Sequence, residues 1–543
     1  MVCRLTSLLC TMDCQLRLPL LLLLFSFSLY TTNLSCPVSI GPCSRHILAA
    51  DCYFEAQKCQ IFYTPYNMTD SQTSGAGRQQ DDNPDGMNPA TARMDINDMT
   101  LGIELEFIVV CPSGSFDRLQ LDGVSNAVKS LDFLLNARGI PSKCTYTPRD
   151  KAPRFSFWNV TMDAHKLTYA ERAHLPQGHT VQSVEIASRK LNFCDPWQDE
   201  VEAVVDTVSQ LADFGCLFLT NQHCGFHVHI GFGDQFIPIN ACKNVFQIST
   251  ALERCFDRLH TTSRIVPGAG ISFQNPKHFN APLSWFHTHS ASDDGINGPS
   301  SVFDWLRKIE MCETHEDISR MFTVKLPSAT GQRLIDGHSS VLNFDNCDLS
   351  SFANPDDATG TIEFRQHEGT LDFAEINSWI VLTAGLVQFC ANANERDIVS
   401  LCGNAWNHSF SIFDLMKAIG CSESHIAYYR ECRSPSQHDA LSDAAAKDSA
   451  DLEAGRFTGL DAIWRCNGLD KFRRSNPRAV DVVSSEKLLS GAQGRNVKFN
   501  ADSLTDALEL FDRMVLSRQK TLSEAKLMAF SWLGHTEDNL EPR

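Results

Sequence analysis

Residues 101–110 read LGIELEFIVV, and the first seven of them divide by parity. Ile103, Leu105 and Phe107 are apolar, whereas Glu104 and Glu106 stand between them. Alternate side chains of a strand point to opposite faces, so this stretch is expected to hold both carboxylates on one side. The same period recurs in three further segments. In CGFHVHIG (224–231), His227 and His229 oppose Phe226, Val228 and Ile230. In TIEFRQHEG (361–369), Glu363, Arg365 and His367 oppose Ile362 and Phe364, and in VQSVEIAS (181–188), Glu185 opposes Val184 and Ile186. Taken singly, each pattern fits the wet face of an antiparallel sheet, where charges are simply solvated. Their conjunction argues for one sheet face that lines a pocket.

Outward from these strands the chain alternates between strand-like and helix-like stretches. A helix is expected over Val124–Arg138, with Val124, Val128, Leu131 and Leu135 on one face and Gly139 ending it. Arg154–Met162 reads as a strand. Asp195-Pro196 signals a helix start, with Asp as the cap and Pro in the first turn, ahead of Val201, Val204, Val205, Val208 and Leu211. Further helices are expected over Val245–Leu259 and Ala374–Cys390, and a strand near Ser340–Phe344. Beyond Asp397 the pattern is helical, with a polar stretch at Ser434–Gly455 that suits a mobile helical or disordered insert. The expected class is α+β: a mostly antiparallel sheet, backed by helices.

The 543 residues are 43% hydrophobic and 21% charged, as in a globular protein. A net charge of −18 argues against general nucleic-acid binding, which needs a basic face. The 21 cysteines are odd in number and show no zinc-ribbon spacing, and Cys216, Cys255 and Cys390 lie in apolar segments. The main body therefore reads as reduced and cytoplasmic, with no stable membrane insertion. The apolar run Leu18–Tyr30, behind Arg4 and Arg17, resembles a signal-peptide core instead, and Cys36, Cys43, Cys52 and Cys59 follow it closely. Thr69–Ala92 is rich in Gly, Pro, Ser, Asn, Asp and Gln and reads as a flexible linker. Three regions are expected: a leader over 1–93, a catalytic domain over 94–395 and a helical extension over 396–543.

Carboxylates with imidazoles suit Mg²⁺ or Mn²⁺ holding a nucleotide polyphosphate, and arginine supplies a fixed positive fork for phosphate oxygens. The sequence contains no GxxxxGK[ST] loop, so an ATP site here is not of the P-loop kind, and no HExxH motif that would support zinc hydrolysis.

GIELEF (102–107), the segment from Asp163 to VEIAS (184–188), CGFHVHIG (224–231) and TIEFRQHEGTLD (361–372) together resemble the amidoligase family, within the group that includes glutamine synthetase and γ-glutamylcysteine synthetase. The resemblance spans Met94 to Arg430. It implies a glutamine-synthetase-like catalytic sheet on which ATP phosphorylates a small-molecule or peptide carboxylate and an amine displaces the phosphate. It further implies Glu104, Glu106, Glu185 and Glu363 as metal ligands. His227 and His229 share the roles of metal ligand and of nucleotide-phosphate or substrate contact, in an order left open. Arg365 is implied to stabilise the transferring phosphoryl group, and Asp163 and Arg264 to contact substrate or nucleotide. Two departures bear on substrate selection: Ala164-His165 follows Asp163 where relatives tend to show a Ser two residues on, and Arg189 follows Ser188 where a Pro is common. A metal-dependent phosphotransferase and a non-catalytic binding protein that retains the fold are the competing readings.

Overall fold

The computed structural model describes residues 94–116, 126–144, 155–265, 283–284, 301–322, 324–328, 331–335, 340–348, 359–491, 499–517 and 520–538. The signal-like run, the four early cysteines and the expected linker lie outside the described residues.

The stretch read first is the organising element. Strand β1 (Met99–Pro112) is 14 residues long and carries neighbours along both edges. On one edge it pairs antiparallel with β4 (His179–Ala187) and β5 (Leu191–Asn192). On the other it pairs antiparallel with β6 (Leu217–Leu219) and β7 (Gly225–Phe232). Beyond β7 come β11 (Ile362–Glu368) and β10 (Leu342–Asn343), and beyond β4 come β3 (Trp158–Met162) and β2 (Ser142–Cys144). All pairings in this nine-stranded sheet are antiparallel except β2 with β3. A separate hairpin joins β8 (Val324–Ser328) to β9 (Gly331–Ile335).

The apolar half of the period-two pattern builds the core. Leu101, Ile103, Leu105, Phe107, Phe226, Val228, Ile230, Ile362 and Phe364 are all buried in one cluster. Each such side chain contributes roughly 1.5–3 kcal/mol relative to exposure. The covering helices include α1 (Ala127–Ala137), α2 (Trp197–Ser209), α3 (Ile239–Ala251), α4 (Val302–Glu310) and α5 (Phe373–Asn392), all of which supply buried residues to that cluster. By length and composition α5 passes for a membrane span. In the fold it is a core helix that packs on α3 and β7. After it come α6 (Glu395–Cys402), α7 (Pro435–Glu453), α8 (Gly459–Arg474) and α9 (Leu522–Asp538), with shorter helices between.

Several local expectations shift by a residue or more. Pro196, not Asp195, occupies the cap position of α2, and Asp195 accepts a hydrogen bond from Asn192 at 2.8 Å instead. The helix expected over Val245–Leu259 is two helices, because Leu252 leaves helical geometry (φ −110°, ψ 21°) between α3 and Glu253–Asp257. The polar stretch after Ser434 is the helix α7, with Ser434 capping it and Pro435 in its first turn. An Arg465–Asp448 ion pair at 2.7 Å and the stacking of His438 on Phe472 tie α7 to α8. The larger correction concerns His367. A register shift between Phe364 and His367 turns this imidazole away from Glu363 and Arg365. It lies in the core against Phe226 and Trp379, and burial pushes its pKa down to about 4.

Candidate active site

The polar half of the pattern converges on the opposite sheet face. Glu104 is paired directly with His227 across β1 and β7, and Glu106 with Glu185 across β1 and β4. Glu363 faces His229 across β11 and β7. Cross-strand partners on one face bring their Cβ atoms to about 4.5–5.5 Å, so these pairs form one continuous patch.

Glu104 is the hub. Its two carboxylate oxygens accept from His227 Nδ1 at 2.8 Å and from His229 Nε2 at 3.2 Å. Burial alone would raise this carboxyl, but the two imidazoles outweigh it and hold Glu104 well below its usual range. Glu363 Oε1 lies 3.7 Å from His227 Nδ1 and 3.8 Å from His229 Nε2. Its other oxygen accepts from Asn343 Nδ2 at 2.8 Å, and Arg365 is hydrogen-bonded to Oε1. Against burial, Arg365 and His229 bring Glu363 down to about 2.

On the β4 side, Glu106 accepts from the backbone N–H of Gly225. A Cβ on Gly225 would lie 3.0 Å from Glu106 Oε2 and collide with the His227 ring, so the close packing of these two side chains requires glycine there. His165 Nε2 sits 3.3 Å from Glu106 and 2.8 Å from Asp163. Glu185 carries the opposite shift to Glu104. Burial, followed by the charges of Glu104, Glu106 and Asp163, pushes its carboxyl well above the usual range. Five carboxylates thus meet the guanidinium of Arg365, with that of Arg264 in electrostatic reach of Glu106. Two groups on this face have donor atoms close enough to share an ion: Glu104, His229 and Glu363, and Glu106, Asp163 and His165, each within 4.8 Å.

Of the residues singled out in the sequence, Glu104, Glu106, Glu185, His227, His229, Glu363 and Arg365 are gathered here, and Asp163 joins through His165. Arg264 does not open onto the patch. It is buried, donates to the Cys224 carbonyl, and lies within electrostatic reach of Glu368 and Glu106. Sequence reasoning missed Asn343, His165 and the helix α8. Ile108 and Val110 continue the face of Glu104 and Glu106 along β1, and they pack with Leu167, Leu219, Cys224 and Ile463. Ile463 comes from α8, whose Asn467 donates to Glu171 and to the Thr220 carbonyl. Arg474 of the same helix pairs with Glu368 at the end of β11. Leu460, Ile463, Asn467, Lys471 and Arg474 recur at helical spacing, and that stripe was the available signal.

Residues 97–266 match the model of a family described as "putative amidoligase enzyme". The segment is amidoligase-like. The match supports an amide-forming ligase, and it spans the β1, β4 and β7 parts of the patch. Glu363 and Arg365 lie beyond it and are added by the fold. Among solved structures, the glutamate–cysteine ligase of Francisella tularensis in complex with AMP aligns with 80% of this chain and 98% of that chain. At 11% identity and a TM-score of 0.30, that likeness carries no argument. No curated protein matches the sequence.

Proposed function

We propose that the chain is an ATP-dependent carboxylate–amine ligase that works through an acyl phosphate, with Mg²⁺ or Mn²⁺ held on the acidic face. The observation that carries this reading is the charge imbalance: five converging carboxylates with imidazoles between them, against the guanidinium of Arg365 and that of Arg264 near Glu106. Such a set is a poor resting state for a protein interior and a good cradle for divalent cations that hold polyphosphate. The donor chemistry fits the ions: oxygens from Glu104, Glu106, Glu185 and Glu363, and nitrogens from His227 and His229. Bound cations supply charge neutralisation that lets an anionic nucleotide approach an anionic acid.

The residues of the chain do the rest. Glu104 fixes both imidazoles by hydrogen bonds, so their ring nitrogens are held in place before any ligand arrives. Arg365, anchored by Glu363, presents fixed positive charge where the phosphoryl group moves, and needs no reorganisation as charge develops. A carboxylate is a poor electrophile because its leaving group is oxide. Phosphorylation creates a leaving group that an amine then displaces. Asp163, beside Glu106, would lie nearest the acid, and Arg264, which does not open onto the patch, would act there through its charge alone. Helix α8 covers the apolar continuation of this face and limits the entry of water. The ATP supply that this chemistry needs is intracellular, and we place the reaction there.

The test is acyl-phosphate trapping. The full chain is incubated with ATP, Mn²⁺, hydroxylamine and a panel of amino, dicarboxylic and peptide acids. Formation of a hydroxamate with stoichiometric ADP is the expected result. ADP release with a stable phosphorylated product and no hydroxamate would point to a phosphotransferase instead.

A further inference from the structure

The second cluster of the site contains a residue with no role in the reading above. His165 lies just past the end of β3, outside any strand or helix. It is buried and places Nε2 2.8 Å from Asp163 Oδ2 and 3.3 Å from Glu106 Oε2. One donor atom from each of the three lies within 4.8 Å of the others. The simplest account is an imidazolium paired with two carboxylates. That account must also serve the rest of the face, where Glu104, Glu185 and Glu363 crowd the same patch. The donor atoms of this face fall into two sets, each close enough to share one divalent cation. One cation fits Glu104, His229 and Glu363, and the other fits Glu106, Asp163 and His165.

We propose that His165 is a ligand to the second divalent cation and biases that position toward Mn²⁺ over Mg²⁺. This inference rests on the site being a divalent-cation site. Mg²⁺ takes near-ideal octahedral oxygen coordination, whereas an imidazole nitrogen suits the later first-row ions. A position with two carboxylates and one imidazole therefore loses selectivity, more than it loses charge, when the nitrogen is removed.

The test counts bound Mn²⁺ on the metal-free full chain by the loss of the free-ion electron paramagnetic resonance signal, with Mg²⁺ as competitor. Wild type is expected to bind two Mn²⁺. His165→Ala is expected to weaken one of the two at least about tenfold, the size reached even by outer-sphere changes at metal sites. His165→Gln, which offers an oxygen, is expected to keep two sites and narrow the preference for Mn²⁺ over Mg²⁺ at one of them. Pulsed measurements of nitrogen coupling to bound Mn²⁺ should lose one imidazole in both variants, a change that a merely structural histidine would not cause. Two tight Mn²⁺ sites with unchanged selectivity and nitrogen coupling in both folded variants would overturn the role of His165 and leave the metal site standing. A single Mn²⁺ in wild type would also overturn it. No Mn²⁺ bound to the folded wild type would remove this inference and the functional reading together.

Discussion

Two of the places where the molecule buries charge are built differently. Between α3, α4, α6 and α9, Lys526 Nζ lies 2.9 Å from Glu310, 2.6 Å from Glu395 and 2.7 Å from the Asn244 side-chain oxygen. Lys243 approaches Glu310 at 3.3 Å, and Ser523 and Gln247 donate to the same carboxylate. Two lysines meet two glutamates. Burial would raise Glu310, but Lys526 and Lys243 override it and keep the group below its usual range. On the sheet face, five carboxylates meet two guanidiniums, Arg365 and Arg264, and Glu185 is pushed the other way. A compensated network is complete as it stands and fixes how helices pack. An uncompensated one is complete only when something positive arrives. The difference separates a structural cluster from a binding site without reference to any relative.

The comparison breaks first at the sheet face. Glu104→Ala and Glu363→Ala should each lower Mn²⁺ affinity on the order of 100-fold or more, since changes to supporting residues alone reach 10–100-fold. Removal of a crowded carboxylate by Glu185→Gln should weaken Mn²⁺ binding while leaving the metal-free chain as stable as before, or more so. Metal titration paired with denaturant unfolding checks both halves. A Glu185→Gln chain that is markedly less stable without metal would mean the face is compensated after all.

The helix network should respond in the opposite way. Lys526→Met leaves Glu310 and Glu395 buried without their main cation, a loss of about 3–5 kcal/mol. Denaturant unfolding of metal-free protein should show that loss, while Mn²⁺ affinity stays at the wild-type value. A large fall in metal affinity with the fold intact would join the two clusters into one functional unit.

A smaller effect sharpens the contrast between the two faces of β11. His367 has a folded pKa of about 4 against an unfolded value near 6.5, so between these values the unfolded chain holds the extra proton. Stability contributed by the neutral ring is therefore full above pH 6.5 and lost as pH falls toward 4. A drop from pH 6.5 to 5 should cost about 2 kcal/mol through this residue. The slope of unfolding free energy against pH, compared between wild type and His367→Phe, measures it. An unchanged slope would mean the ring is hydrated or protonated in the fold.

The sheet face was legible because a strand has a period of two. Glu104, Glu106, His227, His229, Glu185 and Glu363 were separable from Ile103, Leu105, Val228 and Ile362 by parity alone, and the apolar four all lie in the core cluster. The rest depended on features that parity does not carry. One irregular step in β11 moved His367 to the core, and nothing in TIEFRQHEG marks where the extra residue falls. His165 lies outside a strand, so no period assigned it a face. Helix α8 reaches the site through Ile463, almost two hundred residues past the end of the family match, and such a contact is set by tertiary packing. Asn343 is visible only once β10 is paired with β11.

If the uncompensated face is a nucleotide site assembled by divalent cations, ATP binds there only with metal. Calorimetric titration of ATP into the full metal-free chain, with and without Mn²⁺, tests it most directly. Binding should require Mn²⁺ in wild type and Lys526→Met, and disappear in Glu104→Ala and Glu363→Ala. ATP binding of equal strength without metal, or no binding by a folded wild-type chain with metal, would contradict it.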